Sequence, residues 1–380
     1  MNKNIVYRKV VIFSGVFFIA LLLNTFPALM TEFQRVYSLS VGESGIIPLF
    51  SSLGTICANL IAVYLLAKEG TKIGLKLGFL CAFSGLALSS IFNFYTLVTG
   101  IFFLSMTFGL VMTSLATTYS HLPLKSQDFS MYHSFFGIGG LVAPFFVKQV
   151  LERGFSYNFV YLSYFAIFFV VAYLLFSHPF ENYRTENFSI KDLKRALLNK
   201  KIVVLVLLLG FYAASEMSIV VWTGNFYKSV HRIGIKQYSM VLSFFWFVFT
   251  ISRFFGNRKI KKLGVKRNII LMSILTIGSV IFMLVLPFRF SVLFFGITAF
   301  FMATLFPSMH FLINYVADED AKGPVNAFLF LTVSIVGMFF VPIVGIVAGI
   351  NIYMAFGIIL LPFFVQAIVL PAVCRENIRI

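Results

Sequence analysis

Residues 201–224 read KIVVLVLLLGFYAASEMSIVVWTG. At 1.5 Å of rise per residue, this run crosses the roughly 30 Å hydrocarbon core of a bilayer as one helix. It contains a single carboxylate, Glu216, about 23 Å along the helix from Lys201. A charged side chain at that depth costs roughly 3 kcal/mol unless it meets water, a proton or a partner. Such an acid marks a transport or coupling site by default, and a protonated acid bonded to a neighbouring helix is the plainer alternative.

The composition around this run requires a membrane. Hydrophobic residues make up 60% of the 380 and charged residues 11%, against about 25% charged in soluble domains. Phe alone occurs 50 times, which suits lipid-facing surfaces. The net charge of +17 does not indicate nucleic acid, because no basic stripe with interleaved aromatics lies in a water-exposed segment. Cys57, Cys81 and Cys374 form no C-x-x-C pair and read as small buried hydrophobes, with neither a disulfide framework nor a metal site. There is no phosphate loop and no H-E-x-x-H. Enzyme chemistry, cofactors and ATP-driven pumping are therefore not expected.

Apolar runs predict twelve spans: 10–33, 44–67, 74–93, 96–118, 130–149, 156–177, 201–224, 237–257, 267–286, 290–315, 324–346 and 350–372. The first, following no cleavable signal, reads as a transmembrane helix. With the N-terminus inside, 22 of the 30 basic residues fall in cytoplasmic segments and 7 outside, with Arg253 inside the eighth span. The positive-inside rule then places both termini in the cytoplasm of a multi-pass inner-membrane protein. The cost of that choice is that Lys228, Arg232 and Lys236 lie outside.

The longest break divides the chain near its middle. It predicts an N-terminal six-helix bundle over 1–177, a linker over 178–200 and a C-terminal bundle over 201–380. Ser189 and Asp192 resemble a helix cap. Ile190, Leu193, Ala196 and Leu197 then share one face of an interfacial amphipathic helix. KIGLK at 72–76 and KLGVK at 262–266 read as an internal repeat offset by 190. Gly139 and Pro144 in the fifth span are echoed by Gly337 and Pro342 in the eleventh. Two matched halves with a site between them are the architecture of alternating-access carriers.

On a helical wheel, Tyr212, Ser215, Glu216, Ser218, Trp222 and Thr223 cover less than half of the seventh span, interrupted by Ile219. Ala213, Ala214, Met217, Val220 and Val221 take the rest. The polar strip is expected to face a wet passage. Trp222 offers a face for stacking sugar C–H groups or serves as an interface-belt tryptophan. Asn24 before Pro27, the Thr113, Ser114, Thr117 and Thr118 set, His310 and Asn326 are further candidates for lining or for interhelical bonds. Helix rise puts Glu216 and Arg253 about 11 Å apart in depth, so Arg253 is expected at a cytoplasmic gate or snorkelling rather than in a direct ion pair. His133 in the fifth span is a gate candidate or a packed histidine. Gly137, Gly139 and Gly140 permit close helix approach.

Twelve spans, a central linker and two basic glycine loops resemble the major facilitator superfamily over nearly the whole chain. The family loop follows G-x-x-x-D-R-x-G-R/K. Lys72, Gly74 and Lys76 match in the first copy, with Thr71 at the acidic position. Lys262, Gly264 and Lys266 match in the second, with Lys261 there. By resemblance these residues gate. ASEMSIVVW at 214–222, HSFFGIGGLVAP at 133–144, LFPS at 305–308 and GMFFVPIVG at 337–345 are similar to the fucose/galactose/glucose–proton symporter branch. That likeness implies a monomeric carrier of a monosaccharide, with Glu216 and Trp222 in or beside the sugar site. Fucose permeases carry carboxylates in the first and fourth helices, where this chain has Asn24 and threonines, so Glu216 is the remaining candidate for coupling to protons. Two other readings stay open: an exporter of amphipathic compounds, favoured by the abundant Phe, and a non-transporting receptor or accessory subunit.

Overall fold

The computed structural model describes residues 3–123, 129–177, 181–184, 198–317 and 322–374. Helices carry all of its regular structure. Backbone N–H and C=O groups find no water in hydrocarbon, and the helix satisfies them within one segment. The first half contains α1 (Lys3–Val36), α2 (Ile46–Lys68), α3 (Thr71–Ser89), α4 (Phe94–Ser120), α5 (Phe129–Glu152) and α6 (Asn158–Phe176). The second contains α7 (Lys200–Val230), α8 (Ile235–Leu263), α9 (Val265–Val285), α10 (Phe288–Met302), α11 (Leu305–Val316), α12 (Lys322–Ile350) and α13 (Ile352–Val373). Among the described residues, twelve helical spans are long and apolar enough to cross a membrane, at the places expected from the hydropathy. Asn93, Asn199 and Asn351 cap α4, α7 and α13, each side-chain oxygen accepting two main-chain N–H groups. The amphipathic helix expected near 189–197 lies outside the described residues.

The tenth span departs from its expectation. It is two helices, α10 and α11, separated at Ala303 and Thr304. Pro307 explains the break. Inside one continuous helix it would clash with the carbonyl four residues back, but in the first turn of α11 its missing N–H is harmless. The carbonyls ending α10 are then free for other donors.

The halves repeat in register, though not in the register that the glycine loops suggest. Helices α3, α4 and α6 begin at 71, 94 and 158; α9, α10 and α13 begin at 265, 288 and 352, each pair 194 residues apart. The turn glycines are Gly70 (φ 88°) and Gly264 (φ 80°), also 194 apart. Both occupy the left-handed region that glycine enters without penalty. Gly74 is therefore not the partner of Gly264. It sits inside α3, where a Cβ would come within 2.2 Å of Ser114 Oγ. Its counterpart is Asn268, whose Nδ2 donates to Ser308 Oγ at 3.0 Å. The two K-x-G-x-K strings share composition but not position: residues 72–76 lie inside α3, whereas Gly264 is the turn between α8 and α9.

Between the halves, α2 packs on α12, α5 on α8, and α1 on α7. The exterior is apolar, with Phe169, Tyr173 and Val285 among many exposed side chains. Lipid is as apolar as these residues, so helix association rests on close packing. Gly54 of α2 shows it: a Cβ there would lie 2.2 Å from the Phe102 carbonyl oxygen of α4.

Candidate functional site

Glu216 is half-buried on α7. One turn away, the hydroxyl of fully buried Tyr212 reaches two acceptors, Glu216 Oε2 and the Met302 main-chain oxygen at 2.9 Å. Met302 ends α10, so its carbonyl is one of those that the broken tenth span frees. Arg253 of α8 faces the same space. The described ion pairs include no direct bridge between Arg253 and Glu216. The guanidinium lies over Phe249, with Cζ 4.4 Å from the ring centroid, and Nε is buried with no hydrogen-bond partner. Arg253 is thus drawn inward rather than snorkelling.

The rotation of α7 reverses the face assigned from the wheel. Tyr212, Ser215, Ser218, Trp222 and Thr223 are all fully buried. Ser218 and Thr223 give their hydroxyls to carbonyls one turn back, Ala214 and Ile219. Trp222 donates Nε1–H to Val341 O at 2.9 Å and packs against Gly345 of α12, so no ring face is open for sugar stacking in this state. A central cavity of about 130 Å³ between the halves meets α7 on its opposite face, at Ala213, Ala214 and Met217, with Leu23, Ser51 and Ser334 across from them. Periodicity gives the width of a strip, whereas packing against α12 and α13 decides which way it turns.

Asn24 is also turned inward, 5% exposed, with Nδ2 on its own helix at Ala20 O (2.8 Å). His310 and Asn326 do come together. His310 Nε2 and Asn326 Oδ1 are 2.7 Å apart, and Asn326 exchanges amide hydrogen bonds with Asn314 at 2.9 and 3.1 Å. This half-buried cluster lies about 12 Å along the span from Met302, toward the terminus-bearing face. His133 is on α5, and its side chain lies outside the described residues. Beside it in sequence, Gly137 and Gly140 seat α5 against Thr250 and Trp246 of α8.

The face opposite the termini is sealed by residues that no sequence pattern singles out. Gln34 of α1 and Asn225 of α7 are each 5% exposed. Asn225 Nδ2 donates to Gln34 Oε1 at 2.8 Å, and Gln34 Nε2 to Ser44 Oγ at 2.8 Å. Beside them Gly42 and Gly45 press on Ile346 and Pro342 of α12. On the terminus-bearing face, α4 and α11 make no extended contact. The buried Glu32, paired with Arg35 at 2.6 Å, is a second acid near the seal.

The loops expected to gate carry Thr71 and Lys261 where the family pattern has an acid. Lys72, Lys76 and Lys262 point outward, and Lys266 lies in the first turn of α9. The loop before α3 is strapped by residues 181–184. Asn182 Oδ1 accepts Lys72 N–H at 3.0 Å, Asn182 Nδ2 donates to Glu69 O at 2.7 Å, and Thr71 and Tyr183 exchange two further bonds. Glu181 ties the strap to Arg8 at 3.2 Å, and the Tyr183 ring stacks on His121.

A family model described as Major Facilitator Superfamily matches residues 11–342. The chain belongs to the Major Facilitator Superfamily. It is accordingly a multi-pass membrane transporter and not an enzyme. Solved superfamily structures share its fold along nearly its whole length. The E. coli fucose:proton symporter FucP is 19% identical over 97% of this chain and 98% of that one, with a TM-score of 0.66. The nucleoside transporter NupG is 14% identical over 96% and 99%, with a TM-score of 0.75. The peptide transporter POT, in complex with sulfate, is 13% identical over 96% and 93%, with a TM-score of 0.77. Among curated proteins, "Protein TsgA homolog" of Buchnera aphidicola subsp. Schizaphis graminum (strain Sg) is 23% identical over 253 residues. The match spans 64% of this superfamily member and 64% of that relative's length.

Proposed function

We propose that this transporter moves a small polar solute, with a monosaccharide as the leading class, by alternating access, and that a proton travels on Glu216. The shared hydroxyl of Tyr212 carries this reading. A phenol has one hydrogen, and a main-chain carbonyl has none to give. Tyr212 can donate to Met302 and still be bonded to Glu216 only when Glu216 itself supplies a proton. When the acid ionises, the tyrosine hydrogen turns to the carboxylate and the Met302 carbonyl loses its donor, at a cost of about 1–3 kcal/mol. The charge state of α7 is thereby linked to the break in the tenth span. Arg253 of α8, lying over Phe249 with its buried Nε unpaired, supplies a positive charge that the ionised acid can approach in the second state of the cycle.

With both termini in the cytoplasm of the inner membrane, the clasp of Gln34 and Asn225 closes the outside. The central cavity and the His310, Asn314 and Asn326 cluster then belong to an inward-facing carrier, working as a monomer. The resemblance to sugar–proton symporters supports the solute class. The apolar walls of the cavity, Leu23, Phe108 and Met217, favour a second reading, export of amphipathic compounds, which inside-out vesicles separate by direction of flux.

Glu216→Gln tests the coupling. Its amide donates to Tyr212 as a protonated acid does, without releasing a proton. Purified protein in liposomes should keep counterflow of labelled solute and lose accumulation driven by a proton gradient. Accumulation and pH dependence equal to the parent's remove Glu216 from the mechanism.

A further inference from the structure

Seven basic residues fall on the face opposite the termini, and the transport cycle proposed above uses none of them. Three of these, Lys148, Lys236 and Arg289, line one groove with an internal volume of about 580 Å³ between the ends of α5, α8 and α10. Glu152 is the one acid among its lining residues and is bonded to Lys148 at 3.5 Å. The groove therefore holds two positive charges in excess. Lys236 and Arg289 stand in the first turns of α8 and α10, and neither turn has an acidic residue or a side-chain cap. Helix N-termini add positive potential at the same spot. Below the charges the wall is apolar, formed by Met240, Val241 and Val292. Met240 is 42% exposed, and Phe247, two turns further along the same face of α8, is 48% exposed.

From this arrangement we infer that the groove between α5, α8 and α10 is a binding site for an anionic phospholipid of the leaflet at that face. The phosphate rests between Lys236 and Arg289, and an acyl chain lies along Met240 toward Phe247. Charge selects an anion, and the apolar wall running on into the bilayer selects a lipid over a free ion. The groove lies where α5 and α8 carry the contact between the two halves, so a bound lipid braces that contact. It also accounts for basic residues on a side where the positive-inside rule disfavours them.

The test uses the full purified chain in detergent, with unfolding midpoints measured in mixed micelles. Phosphatidylglycerol should raise the midpoint, whereas phosphatidylcholine of the same chains and soluble glycerol phosphate should not. The Lys236→Gln/Arg289→Gln pair should weaken the phosphatidylglycerol effect about twenty-five-fold in concentration, from about fivefold per basic side chain near an anionic surface, with an unchanged midpoint in phosphatidylcholine. Lys236→Arg should keep the effect. As a control on the other face, Lys72→Gln should leave it intact. An equal effect in the double variant, an equal effect from glycerol phosphate, or an equal loss in Lys72→Gln overturns the site. A double variant that fails to fold moves the decision to Arg289→Gln alone, with a loss of about fivefold supporting the site and no loss overturning it.

Discussion

Gln34 and Asn225 clasp each other across the two halves of the molecule, amide to amide at 2.8 Å, 191 residues apart in the chain. Both are buried, so neither has water as a substitute partner. Gln34→Ala should weaken the seal by about 1.5 kcal/mol, close to tenfold in the population with that face open. A cysteine introduced at Leu23, with the three native cysteines replaced, should then react several-fold faster with an impermeant maleimide added from that face. An unchanged labelling rate removes this pair from the gate.

Tyr212→Phe keeps the ring and its edge-on contact with Phe363, 5.6 Å between centroids, and removes only the hydroxyl. The Met302 carbonyl and Glu216 each lose a partner. Stability should fall by about 1–3 kcal/mol, seen as a lower unfolding midpoint. Counterflow should persist while proton-driven accumulation declines. A variant that accumulates solute like the parent breaks the link between the acid and the tenth span.

Two glycines offer a contrast in packing. Gly54→Ala drives a methyl into the Phe102 carbonyl, where backbone must move, and overpacking of this kind costs about 1–3 kcal/mol. Gly357 on α13 has nothing within 4 Å of the point a Cβ would occupy, so Gly357→Ala should be neutral or slightly stabilising. Paired thermal unfolding curves in one detergent read both.

The strap over α3 should respond to acid. Glu181's carboxyl is held below its ordinary range, first by the Tyr183 hydroxyl and then by Arg8. A depressed carboxylate contributes its stabilisation in full above the ordinary glutamate value near about 4.3 and loses it as pH falls through the lowered one. The strap should remain docked at pH 6 and loosen only in stronger acid. Asn182→Ala should release it at neutral pH, with the Lys72 amide exchanging about fivefold faster. Equal exchange in parent and variant contradicts the strap.

The twelve spans were legible because lipid imposes one rule on length and polarity, and Glu216 stood out by violating it. What the sequence withheld was orientation and pairing. Tyr212 and Trp222 share a strip with Glu216 on any wheel, but their burial follows from the facing surfaces of α10, α12 and α13, which no local pattern encodes. Asn24 looked like a lining residue and is bonded to its own helix. Gln34 and Asn225 drew no reading at all, because a contact 191 positions apart leaves no local trace. The tenth span was expected unbroken over 290–315, and the break before Pro307, with the carbonyl it frees for Tyr212, is visible only once the helices are placed.

The spacing of 194 residues recurs at the starts of three helix pairs and at Gly70 and Gly264. A polypeptide doubled from a half-length ancestor leaves this signature when later insertions and deletions cancel between its first shared turn and its last shared helix. Ser114 and Ser308 are then descendants of one ancestral position, faced by a close-packed glycine in one copy and by a hydrogen-bonded asparagine in the other.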